Sequence, residues 1–337
     1  MRIGVTGAAG YIGSRLVGRL QRAGHEVVSF DRETPRAAAG AAFVRCDLTD
    51  AAAYEGALAG LDLLCHLAAA KGDWGISDDE YRRDNVAATE ALLGAALRAG
   101  VRNWVFYSTV SVLGPSDVAI DERAPRRPVN PYGATKAECE VLFERHAREV
   151  PDARVLVIRP SVVFGPGNPD NTNIHRLVDA IHHDRFVMIG RGREVKTTSF
   201  IDNLLDAHEF LMARDARLRP SGVEVFHYVD EPGETTAALV ARIYGLLGRQ
   251  RPRLRLPLAL AAPLALAGDA AAGLFRVDLP ITSARVRKFC TATNFDARAI
   301  RREGYVQRIG NEEALRQTVE WYLEDLRQAT SRDTSTT

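Results

Sequence analysis

Short apolar runs and longer apolar stripes alternate along the chain from Ile3 to Arg159. Ile3-Gly4-Val5, Glu26 to Phe30, Ala42 to Val44, Leu61 to Leu67, Asn103 to Ser108 and Arg154 to Arg159 read as strands. Tyr11 to Ala23, Glu80 to Ala99 and Pro131 to Val150 read as helices. Leu16, Leu20 and Ala23 recur at helical spacing, as do Ala91, Leu92, Ala95, Ala96 and Ala99. Gly24 and Gly100 stand where such helices should stop. Strand–helix alternation of this kind predicts an α/β protein with a doubly wound parallel sheet. After Gly165 the pattern breaks into a Gly/Pro/Asn loop and shorter elements. This divides the chain into a sheet domain over 1–166, with later returns to the sheet, a smaller mixed C-terminal domain over 167–330, and a polar tail over 331–337 that should fray.

Composition adds exclusions. The 337 residues are 46% apolar and 26% charged, as in ordinary globular proteins. A formal net charge of +1 gives no broad basic field, so no nucleic-acid partner is expected. Cys46, Cys65, Cys139 and Cys290 lie far apart without a CxxC pair, so no metal site is expected. They read as reduced thiols of a cytoplasmic protein. The opening Met1 to Gly7 is too rich in glycine for a secretion leader. Leu256 to Gly268 is a run of 13 uncharged residues. A transmembrane helix needs about 20, so the run reads as a buried or interfacial helix.

The chemistry starts at Gly7-Ala8-Ala9-Gly10-Tyr11-Ile12-Gly13, between the first strand and the first helix. Gly7 suits the turn, Gly10 admits a pyrophosphate close to the backbone, and Gly13 lets helix and strand pack closely. The helix N-terminus offers N–H groups and a positive dipole to phosphates. Asp31 ends the second strand, 18 residues after Gly13, where an acid meets the ribose hydroxyls of NAD. Its charge would repel the 2′-phosphate of NADP, whereas the neighbouring Arg32 could pair with it.

These glycines, spaced TGxxGxxG, resemble those of the extended short-chain dehydrogenase/reductases, in the NAD-dependent epimerase/dehydratase branch. Asp47-Leu48, His66-Leu67-Ala68-Ala69, Asn85, Asn130-Pro131-Tyr132-Gly133-Ala134-Thr135-Lys136, Arg159-Pro160 through Gly167, and Phe200-Ile201-Asp202-Asn203-Leu204 fit the same family, so the resemblance spans about residues 1–325. It implies a Rossmann-type fold with a substrate-binding C-terminal domain and a homodimer formed through a helix bundle. With the glycine cradle, the expected cofactor contacts are Gly7, Ala9, Gly10, Tyr11, Ile12, Gly13, Asp31, Arg32, Asp47, Leu48, Leu67, Ala68, Ala69, Asn85, Ser108, Tyr132, Lys136, Pro160 and Val162.

Tyr132 and Lys136 share one helical face. An ammonium beside a phenol favours phenolate, so Lys136 should lower the Tyr132 pKa and fit it for general acid–base work. The resemblance implies that Lys136 also holds the nicotinamide ribose and that Thr109 binds the reacting oxygen. Ser108 and Ser111 are alternatives for that hydroxyl. The family's dehydratases follow the catalytic threonine with Asp-Glu, whereas this chain has Val110-Ser111, which disfavours dehydration. For the substrate, the expected contacts are Lys71, Asp73, Trp74, Thr109, Ser111, Arg191, Lys196 and Arg287, with Arg193, Arg285 and Lys288 as further basic candidates. These expectations add up to an NAD(P)-dependent enzyme acting on a nucleotide sugar, most directly a 4-epimerase. The alternatives are a 4-ketoreductase, a hydroxysteroid-type dehydrogenase that would use the apolar segment, and a non-catalytic dinucleotide sensor.

Overall fold

The computed structural model describes residues 1–35, 42–71, 75–169, 172–214, 221–252, 255–275 and 282–334. Seven parallel strands form the main sheet: β1 (Arg2–Thr6), β2 (Glu26–Asp31), β3 (Ala42–Arg45), β4 (Leu63–His66), β5 (Asn103–Tyr107), β6 (Arg154–Pro160) and β7 (Gly222–Tyr228). Their order is β3-β2-β1-β4-β5-β6-β7. The chain thus winds outward from β1 to β3, crosses over to β4 and winds the other way. The crevice at this reversal, beyond the carboxyl ends of β1 and β4, is where such sheets bind ligands. β7 comes from the region after residue 166 and pairs with β6 from Gly222↔Arg154 to Tyr228↔Pro160.

The strands are nearly continuous apolar runs because helices cover both faces. One face packs Ile3, Val5 and Val105 against Leu16 and Leu20 of α1 (Tyr11–Arg22). The other packs Leu64, Trp104 and Phe106 against Leu92 of α2 and Phe143 of α3 (Pro131–Glu149). Helix α2 comprises an α-turn at Asp78–Tyr81, a π-turn at Arg82–Ala87 and α-helix over Ala88–Arg98. It starts earlier than its apolar stripe predicts because Ser77 and Glu80 form a capping box. On the first face, Arg19 of α1 binds Asp202, Asp206 and Glu209 of α4 (Ile201–Ala213).

Elsewhere the short parallel pair Val162–Phe164 and Thr198–Phe200 carries the chain from β6 toward α4. Asn203 accepts from Ile309 N at 3.0 Å and donates to buried Asp230 at 3.0 Å, fastening α4 to the C-terminal region. The apolar segment forms α5 (Leu258–Phe275), which packs beside α6 (Ser283–Cys290). The final helix, α7 (Asn311–Thr334), continues through Ser331 to Thr334, where the sequence reads a frayed tail. Residues 335–337 lie outside the described residues.

Candidate active site

The turn after β1 leaves no room for a side chain at Gly7 or Gly13. Gly7 has φ 69°, and a Cβ there would lie 2.7 Å from Ala68 N. A Cβ on Gly13 would lie 2.0 Å from Gly7 O, so α1 starts pressed against the turn. Gly10 caps α1, and no acidic residue stands in its first turn. The first-turn N–H groups, from Tyr11 to Gly13, have no acceptor inside the helix. This positive, tightly approached helix end fits the pyrophosphate of a dinucleotide. Gly13→Ala is expected to lower NAD affinity at least tenfold and to cost about 1–3 kcal/mol of stability through overpacking. Calorimetric titration and urea unfolding check the two effects.

Asp31 lies beside this turn. Its Oδ2 accepts from Ala9 N at 2.8 Å, and its Oδ1 accepts from Glu33 N at 3.0 Å. Arg32 departs from its expected alternative role. Its guanidinium donates to both Asp84 oxygens, at 2.9 and 2.8 Å, and meets Asp47 at 2.8 Å. Two carboxylates already neutralise the charge that a 2′-phosphate would need, so the geometry favours NAD over NADP. Arg32 bonding holds the Asp84 carboxyl well below its ordinary value. Asp47 also accepts from Thr49 N at 2.9 Å, and the adjacent Leu48 is buried.

The segment after β4 is held from two sides. Thr6 Oγ1 accepts from Leu67 N at 3.2 Å and from Ala68 N at 3.3 Å. Asn85, within the π-turn of α2, accepts from Ala70 N at 2.7 Å and donates to Ala70 O at 3.2 Å and Thr135 Oγ1 at 3.0 Å. Its amide therefore positions the segment that follows Leu67-Ala68-Ala69 against α3. The sequence shows Asn85 at the end of a charged run, Arg82-Arg83-Asp84, and gives no sign of its partners. Below it, His66 lies between Thr6 Oγ1 at 2.7 Å and Thr89 Oγ1 at 3.0 Å. Burial and the Lys136 charge lower its imidazole to about 3, so it is neutral.

Helix α3 is set by its first residues. Asn130 accepts from Gly133 N at 2.7 Å as the cap, and Pro131 occupies the first turn. A Cβ on Gly133 would lie 2.6 Å from Ser111 O, so the helix start docks closely on the 109–113 turn. This brings the start of the Tyr132/Lys136 helix against the turn that carries Thr109. Thr109 is buried and its Oγ1 accepts from Ser111 N at 3.2 Å. Its own hydroxyl proton is available chemistry for a substrate oxygen.

The electrostatics of the pair correct the sequence reading. Lys136 is buried, with Nζ 4.2 Å from the Phe106 ring centroid, and burial lowers its amine to about 8. Burial raises the Tyr132 phenol above its ordinary value, and the charges of Tyr81 and Cys139 add to this. Lys136 therefore does not set a low Tyr132 pKa in the cofactor-free protein: burial dominates both groups. The lysine supports a stability prediction. Between pH 8 and the unfolded value near 10.5, the folded state holds fewer protons than the unfolded one, so this contribution to stability rises with pH. The stability advantage of Lys136→Met over the native chain should therefore shrink across that interval, as urea unfolding at stepped pH would show.

Ser108, expected near the cofactor, donates its hydroxyl to Glu140 Oε1 at 2.5 Å. Glu140 is buried one turn beyond Lys136 and also meets Arg159 at 2.8 and 2.7 Å and Arg126 at 2.6 Å. Burial alone would raise this carboxyl, but Arg159, Ser108 and Arg126 outweigh it and hold it below its ordinary value. The sequence showed Arg159 within a motif; it gave no sign that Glu140 and Arg126 join it. At the rim, β6 ends at Pro160, Val162 begins the short pair with Thr198, and Tyr11 donates to Pro166 O at 3.2 Å.

The expected substrate contacts lie on several elements. Lys71, Arg191, Arg193 and Arg287 are exposed, and Ser111 is partly exposed beside Gly133. Lys196 bonds Thr291 O, which ties the Val195–Lys196 strand to the segment before Thr293. Asp73, Trp74 and the side chains of Arg285 and Lys288 lie outside the described residues.

A model of the NAD dependent epimerase/dehydratase family matches residues 3–225. The chain is 29% identical over 316 residues to the N-acetyl-alpha-D-glucosaminyl-diphospho-ditrans,octacis-undecaprenol 4-epimerase of Escherichia coli O157:H7, covering 94% of this chain and 93% of that one. It is also 29% identical over 335 residues to a 2-alkyl-3-oxoalkanoate reductase of Stenotrophomonas maltophilia (strain K279a), covering 94% and 98%. Among solved structures, MoeE5 in complex with UDP-glucuronic acid and NAD aligns with a TM-score of 0.76 and 27% identity, covering 96% of this chain and 100% of that one.

Proposed function

Because the chain belongs to the NAD-dependent epimerase/dehydratase family, we propose that it is a nucleotide-sugar 4-epimerase acting through a transient 4-keto sugar. It is an NAD-dependent enzyme of the short-chain dehydrogenase/reductase type. The carrying observation is the docking of the Tyr132/Lys136 helix on the Thr109 turn, beside a cradle whose Arg32 is already paired. Bound NAD supplies a hydride acceptor and donor at the sugar carbon. Tyr132 takes the proton of the C4 hydroxyl and later returns it. Thr109 donates to the same oxygen. Lys136, charged below pH 8, favours the ionised form of Tyr132 once the site closes over its ligands, and holds the ribose.

The long match to a 4-epimerase supports this reading, as does the absence of an Asp-Glu pair after Thr109. The match to a reductase favours a second reading, in which the same groups work in one direction and Tyr132 is the proton donor. A non-catalytic sensor would have no use for the Tyr132/Lys136 pair. We include in the proposal a cytoplasmic homodimer, with the exposed Val141 of α3 at its helix bundle.

The test is to release and weigh the nucleotide held by the purified protein, then follow UDP- and dTDP-sugars by NMR without added cofactor. Epimerised sugar with no net change in NADH supports the proposal. Conversion of a keto compound only with matching consumption of NADH or NADPH overturns it in favour of the reductase.

A further inference from the structure

Helix α5 inverts the usual arrangement of a helix on a soluble domain. Its inward side carries small residues: Ala261 and Ala265 are buried and pack with Val286 of α6. The rest of its surface from Leu258 to Ala267 is exposed and carries the large residues, together with Ala259, Ala262 and Ala267. Leu258, Leu260, Leu264 and Leu266 are 51%, 58%, 54% and 64% exposed. A helix that served only to pack would bury the leucines and expose the alanines. Other exposed large apolar residues, such as Met1, Val118 and Val306, are scattered singly over other elements.

Charge completes the pattern. No charged residue stands between Leu256 and Gly268. Arg251 and Arg255, both exposed, lead into the helix, and exposed Arg287 lies on the neighbouring α6. The acid that ends the apolar run, Asp269, accepts from Ser283 N at 3.0 Å at the start of α6. Among the described residues no helix is long and apolar enough to cross a membrane. Pro263 lies inside α5, where it removes one backbone hydrogen bond. An apolar face flanked by arginines, on a helix that does not span, has the chemistry of an interfacial anchor.

We propose that α5 docks the protein on the surface of an anionic bilayer. Leu260, Leu264 and Leu266, which lie off the Ala261/Ala265 face at 3.6 residues per turn, enter the boundary between headgroups and acyl chains, and Arg251, Arg255 and Arg287 meet the lipid phosphates. Binding to vesicles is read without substrate or turnover, so its failure leaves the epimerase reading untouched.

The test is co-sedimentation of the full-length, NAD-loaded protein with vesicles of phosphatidylcholine and phosphatidylglycerol in equal parts, and with phosphatidylcholine alone. Binding should favour the anionic vesicles and weaken with salt. Combined Leu260→Ser, Leu264→Ser and Leu266→Ser should weaken it roughly tenfold or more. Leu264→Trp keeps the apolar face, and its added indole should show a blue-shifted emission on anionic vesicles, which guards against a serine variant that misfolds. A protein that stays in the supernatant overturns the proposal, as does a Leu264→Trp variant whose emission vesicles leave unchanged. Self-association that is lost in the serine variant, without vesicle binding, overturns it in favour of a second copy.

Discussion

Tyr132→Phe is expected to lower turnover about 10²–10⁴-fold, the range for losing a general acid–base. The substitution keeps the ring at the start of α3 and removes only the phenolic O–H, so Gly133, Asn130 and the docking on Ser111 are untouched. NAD binding should therefore persist, because the cradle at Gly7 and Gly13 lies on β1 and α1. Single-turnover kinetics with a calorimetric NAD titration separate the two effects. Activity within about a tenth of the native rate would remove Tyr132 as the proton carrier. Burial keeps this phenol protonated at neutral pH in the cofactor-free protein. Under the proposed mechanism, ionisation of Tyr132 accompanies binding of ligands, which predicts that the pH dependence of turnover differs from the titration of the empty protein.

Glu140→Gln is expected to cost about 3–5 kcal/mol of stability, because removing one partner leaves buried cationic charge uncompensated. Arg159 is itself buried and meets both Glu140 oxygens, while Arg126 approaches from the partly exposed side. The carboxylate also accepts from Ser108, next to Thr109, so the loss should reach the site. Urea unfolding measures the stability term. Replacing Glu140 and Arg159 together, by glutamine and methionine, should cost less than the sum of the single changes, because the pair leaves as a unit. Full additivity would show that the two side chains do not act on each other.

Much of the fold was legible because the pattern repeats locally. The strand runs, the 3.6-residue stripes and the glycine stops each depend on neighbours in sequence, and β1, α1, β4, β5 and α3 lie close to where the apolar pattern puts them. The cradle was legible for the same reason: Gly7, Gly10 and Gly13 must satisfy one turn. Asn85, Ser108 and Arg32 were recognisable as polar residues in telling places, yet their side chains turn to Ala70, Glu140 and Asp84. Hydrogen-bond partners from distant segments are set by the assembled fold, and sequence spacing carries little information about them.

By itself, the sequence determined the order of strands and helices, the glycine turn after the first strand and the Tyr132/Lys136 face, because each follows from local periodicity or from residues a few positions apart. Tertiary structure alone decided the electrostatics. It buried Lys136 over Phe106, raised the Tyr132 phenol, paired Arg32 with Asp47 and Asp84, and turned the leucines of α5 to solvent. Desolvation and long-range ion pairing depend on what surrounds a group in space, and those surroundings come from segments far apart in the chain.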